Sequence, residues 1–187
     1  AHDNSTRGIM ARIPYPEQLA AGVAKLPVPL NAFRMLSHAP PLTDTVIDLG
    51  LAVLTESTLS VRLRELVIMA VAVGTECEYG AVQHRPIALN SGNTEEQLAA
   101  VAERRSDGPE FDEPESAALA AAFELMAGHT LSEGALAALR AHFTDRQVVE
   151  IVTTVGYYVM LAGLLNGLGV DVDPSGERFL GLTGDRE

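Results

Sequence analysis

Two side chains capable of proton or thiol chemistry share one helical face in the middle of the chain. Cys77 and His84 are seven residues apart, and at about 100° per residue seven steps return to within roughly 20° of the starting direction. The small residues Gly80 and Ala81 lie between them and leave room for a ligand that touches both side chains. A thiol and an imidazole beside one hollow are suited to thiol reactivity or to general acid–base catalysis.

A third candidate, Glu65, lies on the preceding predicted helix, twelve residues before Cys77. If the two helices fold back on each other, Glu65 can orient His84 and set its tautomer, while the imidazole lowers the thiol pKa or shuttles a proton. A purely structural interpretation also exists: Cys77 as a small core residue, His84 as a hydrogen-bonded core histidine and Glu65 as an exposed helix charge. Spacing alone favours this structural interpretation, because a single Cys/His pair is a weak motif.

The segment LSVRLRELVIMAVAVGTECEYGAVQHRPIALNSGNTEEQLAAV contains these residues. It resembles the carboxymuconolactone decarboxylase-like family, which includes the alkylhydroperoxidase D branch. The family pattern has a Glu, a Cys-x-x-Cys twelve residues later and a His four residues after the second Cys; Glu65, Cys77, Gly80 and His84 occupy these positions. The segment 144–170 also resembles the closing helix of such proteins. The resemblance implies an all-α helical bundle in which Glu65, Cys77 and His84 are catalytic.

Gly80 stands where the peroxidase branch has its second cysteine, so disulfide cycling between two thiols of one site is excluded. Cys77 can at most form a sulfenic acid or an intermolecular disulfide. The resemblance to decarboxylase members, which lack the cysteine pair, implies a cofactor-independent lyase or isomerase. In it His84, oriented by Glu65, moves a proton on a small carboxylated or carbonyl-bearing molecule. The alternatives are a single-cysteine, peroxide-reactive redox protein and a non-catalytic binding or assembly protein.

Two further residues are candidates for substrate binding. Arg34 lies in a segment that resembles a family segment near the pocket, and an arginine suits a substrate carboxylate, although a surface position is the more common one. Tyr79 belongs to the Cys-Glu-Tyr motif but points roughly 200° away from Cys77, toward another helix or subunit. The five histidines are scattered without metal-binding spacing, so no metal is predicted, and no organic cofactor is expected.

Composition limits the class of protein. The chain has 187 residues, 47% of them hydrophobic, which is enough for one sizeable core, and its net charge of −12 argues against nucleic acid as a partner. A lone cysteine is typical of a reducing, cytoplasmic location. We predict one domain over residues 13–173, a loose N-terminal tail over 1–12 and a C-terminal tail over 174–187.

Helical spacing of apolar residues occurs almost throughout, so the predicted fold class is all-α. Ser60 is expected to begin a buried inner-layer helix that ends at Gly74, and the next helix carries Cys77 and His84. Asn93 with Glu96, and Thr144 with Gln147, are predicted capping boxes. The other predicted helices follow Pro16 and cover 30–37, 42–54, 115–129 and 132–143.

The last predicted helix is long and apolar, which is typical of a membrane span, a core helix or a subunit interface. Residues 151–170 carry no charge, which length alone would allow as a membrane span. Its Thr, Tyr, Asn and Gly residues, the preceding Glu150 and the lack of a basic flank argue against a membrane location. A helix that is apolar all round must be covered, and Gly163 and Gly167 would let a second backbone approach closely. A homo-oligomer is therefore expected.

Overall fold

The computed structural model describes residues 11–174 and 176, and it is built of helices with no strand among those residues. A 3₁₀ turn at Ala21–Lys25 precedes the α-helices. These are α1 (Asn31–Leu36), α2 (Pro40–Thr55), α3 (Val61–Gly74), α4 (Glu78–Asn90), α5 (Glu95–Ala102), α6 (Glu113–Gly128), α7 (Glu133–His142) and α8 (Asp145–Leu168). The predicted all-α fold class is confirmed.

Helix α3 is the centre of the bundle, as its sequence predicts. The Ser60 side chain begins it by accepting the backbone N–H of Leu63, and every residue from 63 to 72 is buried. Helices α4, α5, α6 and α8 pack around it. A helix that is covered on all sides contacts every neighbouring helix. Packing against α3 can therefore position the side chains of a site on α4 or α8.

Of the two predicted capping boxes, one is correct and the other is shifted by one residue. Thr144 and Gln147 form the expected capping box at the start of α8. Asn93 is not a cap: its side-chain amide donates to backbone carbonyls at the ends of α3 and α4, and the capping box of α5 is formed by Thr94 and Gln97. Asn93 thus ties three helices together, a role that local spacing does not indicate.

Both chain ends are held more firmly than predicted where the structure describes them. Arg12, expected in a loose tail, donates its backbone N–H to the carbonyl of Leu168 and a guanidinium N–H to that of Gly167. Residues 171–174 and 176, here called the C-terminal strap, lie against α1 and α4. Residues 1–10, 175 and 177–187 lie outside the described part, so the remainder of both predicted tails is untested.

Helix α8 is, by length and composition, long and apolar enough to cross a membrane. In the structure 44% of its most apolar window is buried against the rest of the chain. Core helices of soluble proteins pass the same length and hydropathy test, so this feature is weak evidence for a membrane location.

Candidate active site

A partly open, apolar cavity of about 100 Å³ lies where α2, α3, α4 and α8 meet below α1. Aliphatic side chains form most of its wall, and none of its lining residues is an Asp, Glu, Lys or Arg. Seven polar or polarisable residues line it: Thr75, Cys77, Tyr79, Gln83, His84, Tyr157 and Tyr158. An engineered apolar cavity of about 150 Å³ is known to bind benzene. The size and lining therefore suit one small, largely apolar molecule.

Glu65 and His84 meet at the wall of this cavity. His84 Nδ1 lies 2.9 Å from Glu65 Oε2, across the contact between α3 and α4. Glu65 is completely buried, which excludes the interpretation of an exposed helix charge, and the His84 side chain is only 12% exposed. The structure therefore places these two residues together, as a role for Glu65 in orienting His84 requires.

Arg64 is a third member of this polar group, and sequence reasoning missed it. Its guanidinium donates through Nε and Nη2 to Glu65 Oε1, at 3.4 and 3.3 Å, and the side chain is 2% exposed. The opposite charge compensates a carboxylate that is otherwise deeply buried. The one sequence signal was that two adjacent charges fall inside a helix predicted to be buried.

The hydrogen bond to Glu65 defines what His84 offers to the cavity. An ionised carboxylate only accepts hydrogen bonds, so a neutral His84 carries its proton on Nδ1 and keeps a lone pair on Nε2. Within the described residues, Nε2 has no hydrogen-bond partner. His84 is thus poised to take a proton from a molecule in the cavity or, as imidazolium, to give one.

Tyr158 packs against His84 from α8. The two rings meet edge to face, with centroids 4.9 Å apart and an interplanar angle of 90°. Burial, reinforced by the negative charge of Glu65, raises the pKa of Tyr158 well above its usual range, so its hydroxyl stays protonated. No protein acceptor for this hydroxyl lies in the part of the chain that the structure describes. Tyr158 can therefore donate a hydrogen bond to a ligand oxygen.

Tyr157 has the core role that its place in an apolar helix suggests. Its hydroxyl donates to the backbone carbonyl of Val46 at 3.0 Å, and burial raises its pKa. The adjacent tyrosines therefore differ: the Tyr157 hydroxyl bonds to the backbone, and the Tyr158 hydroxyl makes no hydrogen bond within the described residues.

Cys77 lies in the cavity wall at the start of α4, where its sulfur accepts the backbone N–H of Gly80 at 3.4 Å. The residue is 3% exposed. Burial raises the pKa of the thiol, although the backbone N–H groups of Gly80 and Tyr79 act in the opposite direction. No hydrogen bond joins Cys77 to His84 among the described residues, so the imidazole does not activate the thiol in this arrangement.

The two residues predicted to bind substrate are placed differently. Arg34 does not line the cavity: it donates to Asn31 Oδ1 at 2.8 Å and stacks over the ring of Tyr15, with the guanidinium carbon 4.8 Å from the ring centroid. Tyr79 lines the cavity, but its hydroxyl donates to the Asp173 carboxylate and accepts the N–H of Ala32. Neither side chain presents a free polar group to a ligand in the cavity.

Gln83 is a cavity residue that the sequence did not indicate. Its Nε2 donates to the strap carbonyls of Asp173 and Pro174, at 3.1 and 2.9 Å, while its Oε1 is buried without a hydrogen bond. No group of three or more His, Cys, Asp or Glu side chains that could hold a metal ion occurs in the described ranges.

Comparisons with known proteins bear on both the sequence and the fold. The carboxymuconolactone decarboxylase family matches residues 40–124, a segment that includes Glu65, Cys77 and His84. No curated protein sequence matches the chain.

Several solved structures have a similar fold. One is an uncharacterized peroxidase-related protein with an alkylhydroperoxidase AhpD core from Ralstonia eutropha JMP134, 23% identical over all of both chains, with a TM-score of 0.74. A putative antioxidant defence protein AhpD from Agrobacterium tumefaciens is 22% identical, covering 73% of this chain and 93% of its own, with a TM-score of 0.65.

A third is a debrominase, crystallised as a cysteine-to-alanine variant with 2,3,4-tribromopyrrole. It is 16% identical, covers 89% of this chain and 94% of its own, and has a TM-score of 0.73. Structural likeness at these identities shows the fold alone, while the family match includes Glu65, Cys77 and His84 but not α8, which carries Tyr158. Residues 40–124 of the chain are therefore similar to the carboxymuconolactone decarboxylase family, and the chain has the alkylhydroperoxidase D-like fold.

Proposed function

We propose that the protein is a cofactor-independent acid–base enzyme, an isomerase or lyase, that moves a proton on a small carbonyl-bearing molecule held in the cavity. The observation that carries this proposal is the bond from His84 Nδ1 to the buried carboxylate of Glu65, in the wall of an apolar cavity. This bond leaves Nε2 of the neutral imidazole as a base.

The proposed reaction begins when His84 Nε2 removes a proton from the carbon next to the carbonyl. The electron pair of that C–H bond moves onto the carbonyl oxygen, which becomes an enolate, and the Tyr158 hydroxyl donates a hydrogen bond to it. The imidazolium then returns its proton to carbon, at the original position or at another atom of the conjugated system. The second outcome is an isomerisation, and both leave His84 neutral.

The lyase version differs in its first step. A carboxylate on the substrate would leave as carbon dioxide, and its bonding electrons would form the same enolate. His84 would have to start as imidazolium, protonate this enolate and regain its proton from water. Apart from that imidazolium, an ionised carboxylate would find no cationic partner, because no Lys or Arg lines the cavity and Arg34 is turned toward Tyr15. The lining therefore favours an uncharged carbonyl compound over the carboxylated substrate that the sequence suggested equally.

Glu65 and Arg64 support the proton transfer without touching the substrate. The negative carboxylate stabilises the imidazolium that forms when His84 accepts a proton, and the guanidinium offsets the charge of Glu65 when His84 is neutral. These two side chains are positioning residues.

Thiol chemistry at Cys77 is the second candidate function, because Cys77 lines the same cavity as His84. The debrominase of similar fold was crystallised with its halogenated pyrrole as a cysteine-to-alanine variant. The raised thiol pKa and the 3% exposure of Cys77 argue against a thiolate that reacts with peroxides at neutral pH. Acid–base catalysis by His84 is therefore the function that the geometry supports better.

Hydrogen–deuterium exchange separates the two candidates. Cyclopentanone in D₂O exchanges the hydrogens next to its carbonyl when a base removes them, and NMR follows the loss of the proton signal. We expect the protein to accelerate this exchange and His84→Gln to reduce the acceleration by about a hundredfold or more. Cys77→Ser should retain it within a few-fold. Exchange that is absent, or that depends on Cys77 and not on His84, would contradict the proposal.

A further inference from the structure

We propose that residues 26–36, here called the cover, open to admit small molecules to the cavity, and that the Asp173 carboxylate in the C-terminal strap holds the cover closed. The cover consists of the segment that follows the 3₁₀ turn and of helix α1. Its residues in the cavity wall are Leu26, Leu30, Ala32 and Phe33. The proposal concerns access to the cavity and does not depend on which reaction takes place there.

Helix α1 has little stability of its own. It has six residues, whereas isolated helices shorter than about 12–15 residues are marginal in water. Its N-cap residue, Leu30, has no side-chain atom that can accept a backbone N–H, and among the described helices only α2 packs extensively against it. Segments with few packed neighbours open more easily than the core. The cover therefore needs contacts from elsewhere in the chain to stay closed.

Asp173 supplies the missing cap from 142 residues along the chain. Its Oδ2 accepts the backbone N–H of Asn31, the first residue of α1, at 2.7 Å, and it also accepts the hydroxyl of Tyr79 on α4. The Tyr79 oxygen in turn accepts the N–H of Ala32 at 3.3 Å. One carboxylate thus joins the start of α1, the strap and the cavity wall. Hydrogen bonds to an ionised group are roughly twice as strong as those between neutral groups.

The strap is anchored to residues outside the cover. The side-chain nitrogen of Gln83 donates to the carbonyls of Asp173 and Pro174, at 3.1 and 2.9 Å. The hydroxyl of Tyr15 donates to the Asp171 carboxylate at 3.0 Å. These bonds can persist while the cover moves, because none of them involves residues 26–36. The Asp173 carboxylate therefore stays in place to bind the cover again when it closes.

The two ends of the cover are fixed independently of the strap. The backbone N–H of Ala20 donates to Ser37 Oγ at 3.0 Å, so the chain before the cover is joined to the chain after it. The N–H of Gly22 donates to Asp44 on α2 at 2.7 Å. Surface segments whose ends meet in this way form compact units, and such units often act as lids over binding sites. The cover can therefore open without unfolding the helices on either side.

Cys77 reports opening of the cover from inside the cavity wall. It lies in one apolar cluster with Ala32 and Met35 of α1, and it is only 3% exposed although the cavity is partly open. It is also the only cysteine in the chain. Methyl methanethiosulfonate, a small uncharged reagent, converts a thiol to a mixed disulfide, and mass spectrometry follows the added mass. At fixed pH, the rate of this reaction on the folded protein measures how readily the wall around Cys77 opens.

Asp173→Ala removes the bonds that hold the cover, and Asp112→Ala is the matched control. Asp112 also accepts a backbone N–H at a helix start, that of α6, but it lies outside the strap, the cover and the cavity wall. Both variants therefore lose a helix-cap interaction. We expect Cys77 to react about tenfold faster or more in Asp173→Ala than in the unmodified protein. In Asp112→Ala its rate should stay within about twofold, because the loss is remote from the cover.

A second pair of variants breaks the same bond from the side of the cover. Asn31→Pro removes the N–H that Asp173 accepts, and proline suits both the first helical position and the extended conformation of Leu30 before it. Asn31→Ala keeps this N–H and loses only the side-chain bonds to Asp171 and Arg34. We expect Cys77 to react several-fold faster in the proline variant than in the alanine variant.

Hydrogen exchange followed by mass spectrometry shows which segment opens. In Asp173→Ala the amides of the cover should exchange faster, and those of α3 should be unchanged. Faster exchange in α3 as well would mean that the whole fold is destabilised. Faster labelling of Cys77 without faster exchange in the cover would place the entrance elsewhere. Either result would overturn the proposal.

The labelling rates give the remaining contrary results. Equal rates in Asp173→Ala and the unmodified protein, equal acceleration in Asp112→Ala, or equal rates in Asn31→Pro and Asn31→Ala would each show that the bond from Asp173 to the cover does not control access. Neither measurement uses a substrate, so this proposal and the proposed function can fail separately.

Discussion

The inner helix α3 and the outer face of α8 contrast in where they place charged and apolar groups. Arg64 and Glu65 on α3 are charged and almost inaccessible to solvent. The outer face of α8 is uncharged but exposed, and consists of Val149, Thr153, Gly156, Met160, Gly163 and Gly167. Val149 is 63% exposed and Met160 46%. At these two places hydropathy alone therefore does not decide which groups are buried; the available partners do.

The two regions differ in whether their side chains find partners within one chain. On α3 the Glu65 carboxylate is bonded to both Arg64 and His84. The outer face of α8 lacks a neighbour: a Cβ added at three of its glycines would meet nothing within 4 Å. Its residues alternate in steps of four and three, the spacing of a helix–helix seam. We propose that a second copy of the chain covers this face. One subunit then contains the whole candidate site, whereas the outer face of α8 is buried only in an oligomer.

The largest expected effect is on the buried charges. Glu65→Leu leaves the Arg64 guanidinium buried without its carboxylate, which should lower the free energy of unfolding by about 3–5 kcal/mol. The double variant Arg64→Leu/Glu65→Leu removes both charges and should recover most of that loss. Urea unfolding followed by circular dichroism measures both. A single variant as stable as the unmodified protein would mean that the pair is not buried as described.

The outer face of α8 should behave in the opposite way. Gly163→Leu places a large side chain in open space, so the isolated subunit should lose no stability and can gain from the better helix propensity of leucine. The same side chain should keep a second helix away and raise the dissociation constant of the oligomer by about tenfold or more. Analytical ultracentrifugation over a concentration series checks this. An unmodified protein that is monomeric at micromolar concentration would contradict the interface.

The variant Gly80→Cys restores the second cysteine of the Cys-x-x-Cys pattern and tests whether its absence prevents hydroperoxide reduction. A Cβ at Gly80 would lie 3.5 Å from both Cys77 Sγ and the Ala72 side chain, which is ordinary van der Waals contact, so the Cβ that Gly80→Cys adds is tolerated. The unmodified protein should have negligible thiol-dependent hydroperoxide reductase activity, and the variant several-fold more, because two thiols can then form a disulfide. The assay couples reduction of an organic hydroperoxide to oxidation of a dithiol. Similar turnover in both proteins would contradict this interpretation of Gly80.

A smaller effect is expected at Cys77. Its pKa is raised by burial, so at a given pH less thiolate is present than in the unfolded chain, and the pH midpoint of alkylation should lie above that of the urea-unfolded protein. As pH rises through the ordinary thiol pKa, the unfolded state loses its proton first and stability falls. Cys77→Ser should remove this part of the pH dependence. A midpoint at or below that of the unfolded chain would favour the redox function.

Local patterns predicted the elements and part of the site. The apolar run of α3, the capping box at Thr144 and the spacing from Glu65 to His84 all describe interactions within one helix or between consecutive helices. Family spacing was needed to connect Glu65 with His84, because the hydrophobic pattern of α3 alone does not indicate which of its charges is buried against a partner.

The features that were missed depend on contacts between distant parts of the chain. Gln83 lies in the cavity wall with its side-chain nitrogen bound by the strap, about ninety residues later. The Tyr79 hydroxyl donates a hydrogen bond to the same strap, and the guanidinium of Arg34 stacks on the ring of Tyr15. Residue type made these two side chains reasonable ligands for a substrate, and tertiary contacts give them other partners. No periodicity or motif indicates such contacts.

In the proposed enzyme Glu65 holds the Nδ1 proton of His84 and leaves Nε2 as a base in an apolar cavity. Long-range ¹H–¹⁵N NMR of the imidazole measures this directly in the resting protein, with His84→Gln to assign the signals. We predict that neutral His84 is the Nδ1–H tautomer, and that the shift of Nε2 changes when cyclopentanone is added. A resting Nε2–H tautomer, or an Nε2 signal unaffected by a bound ligand, would contradict the account.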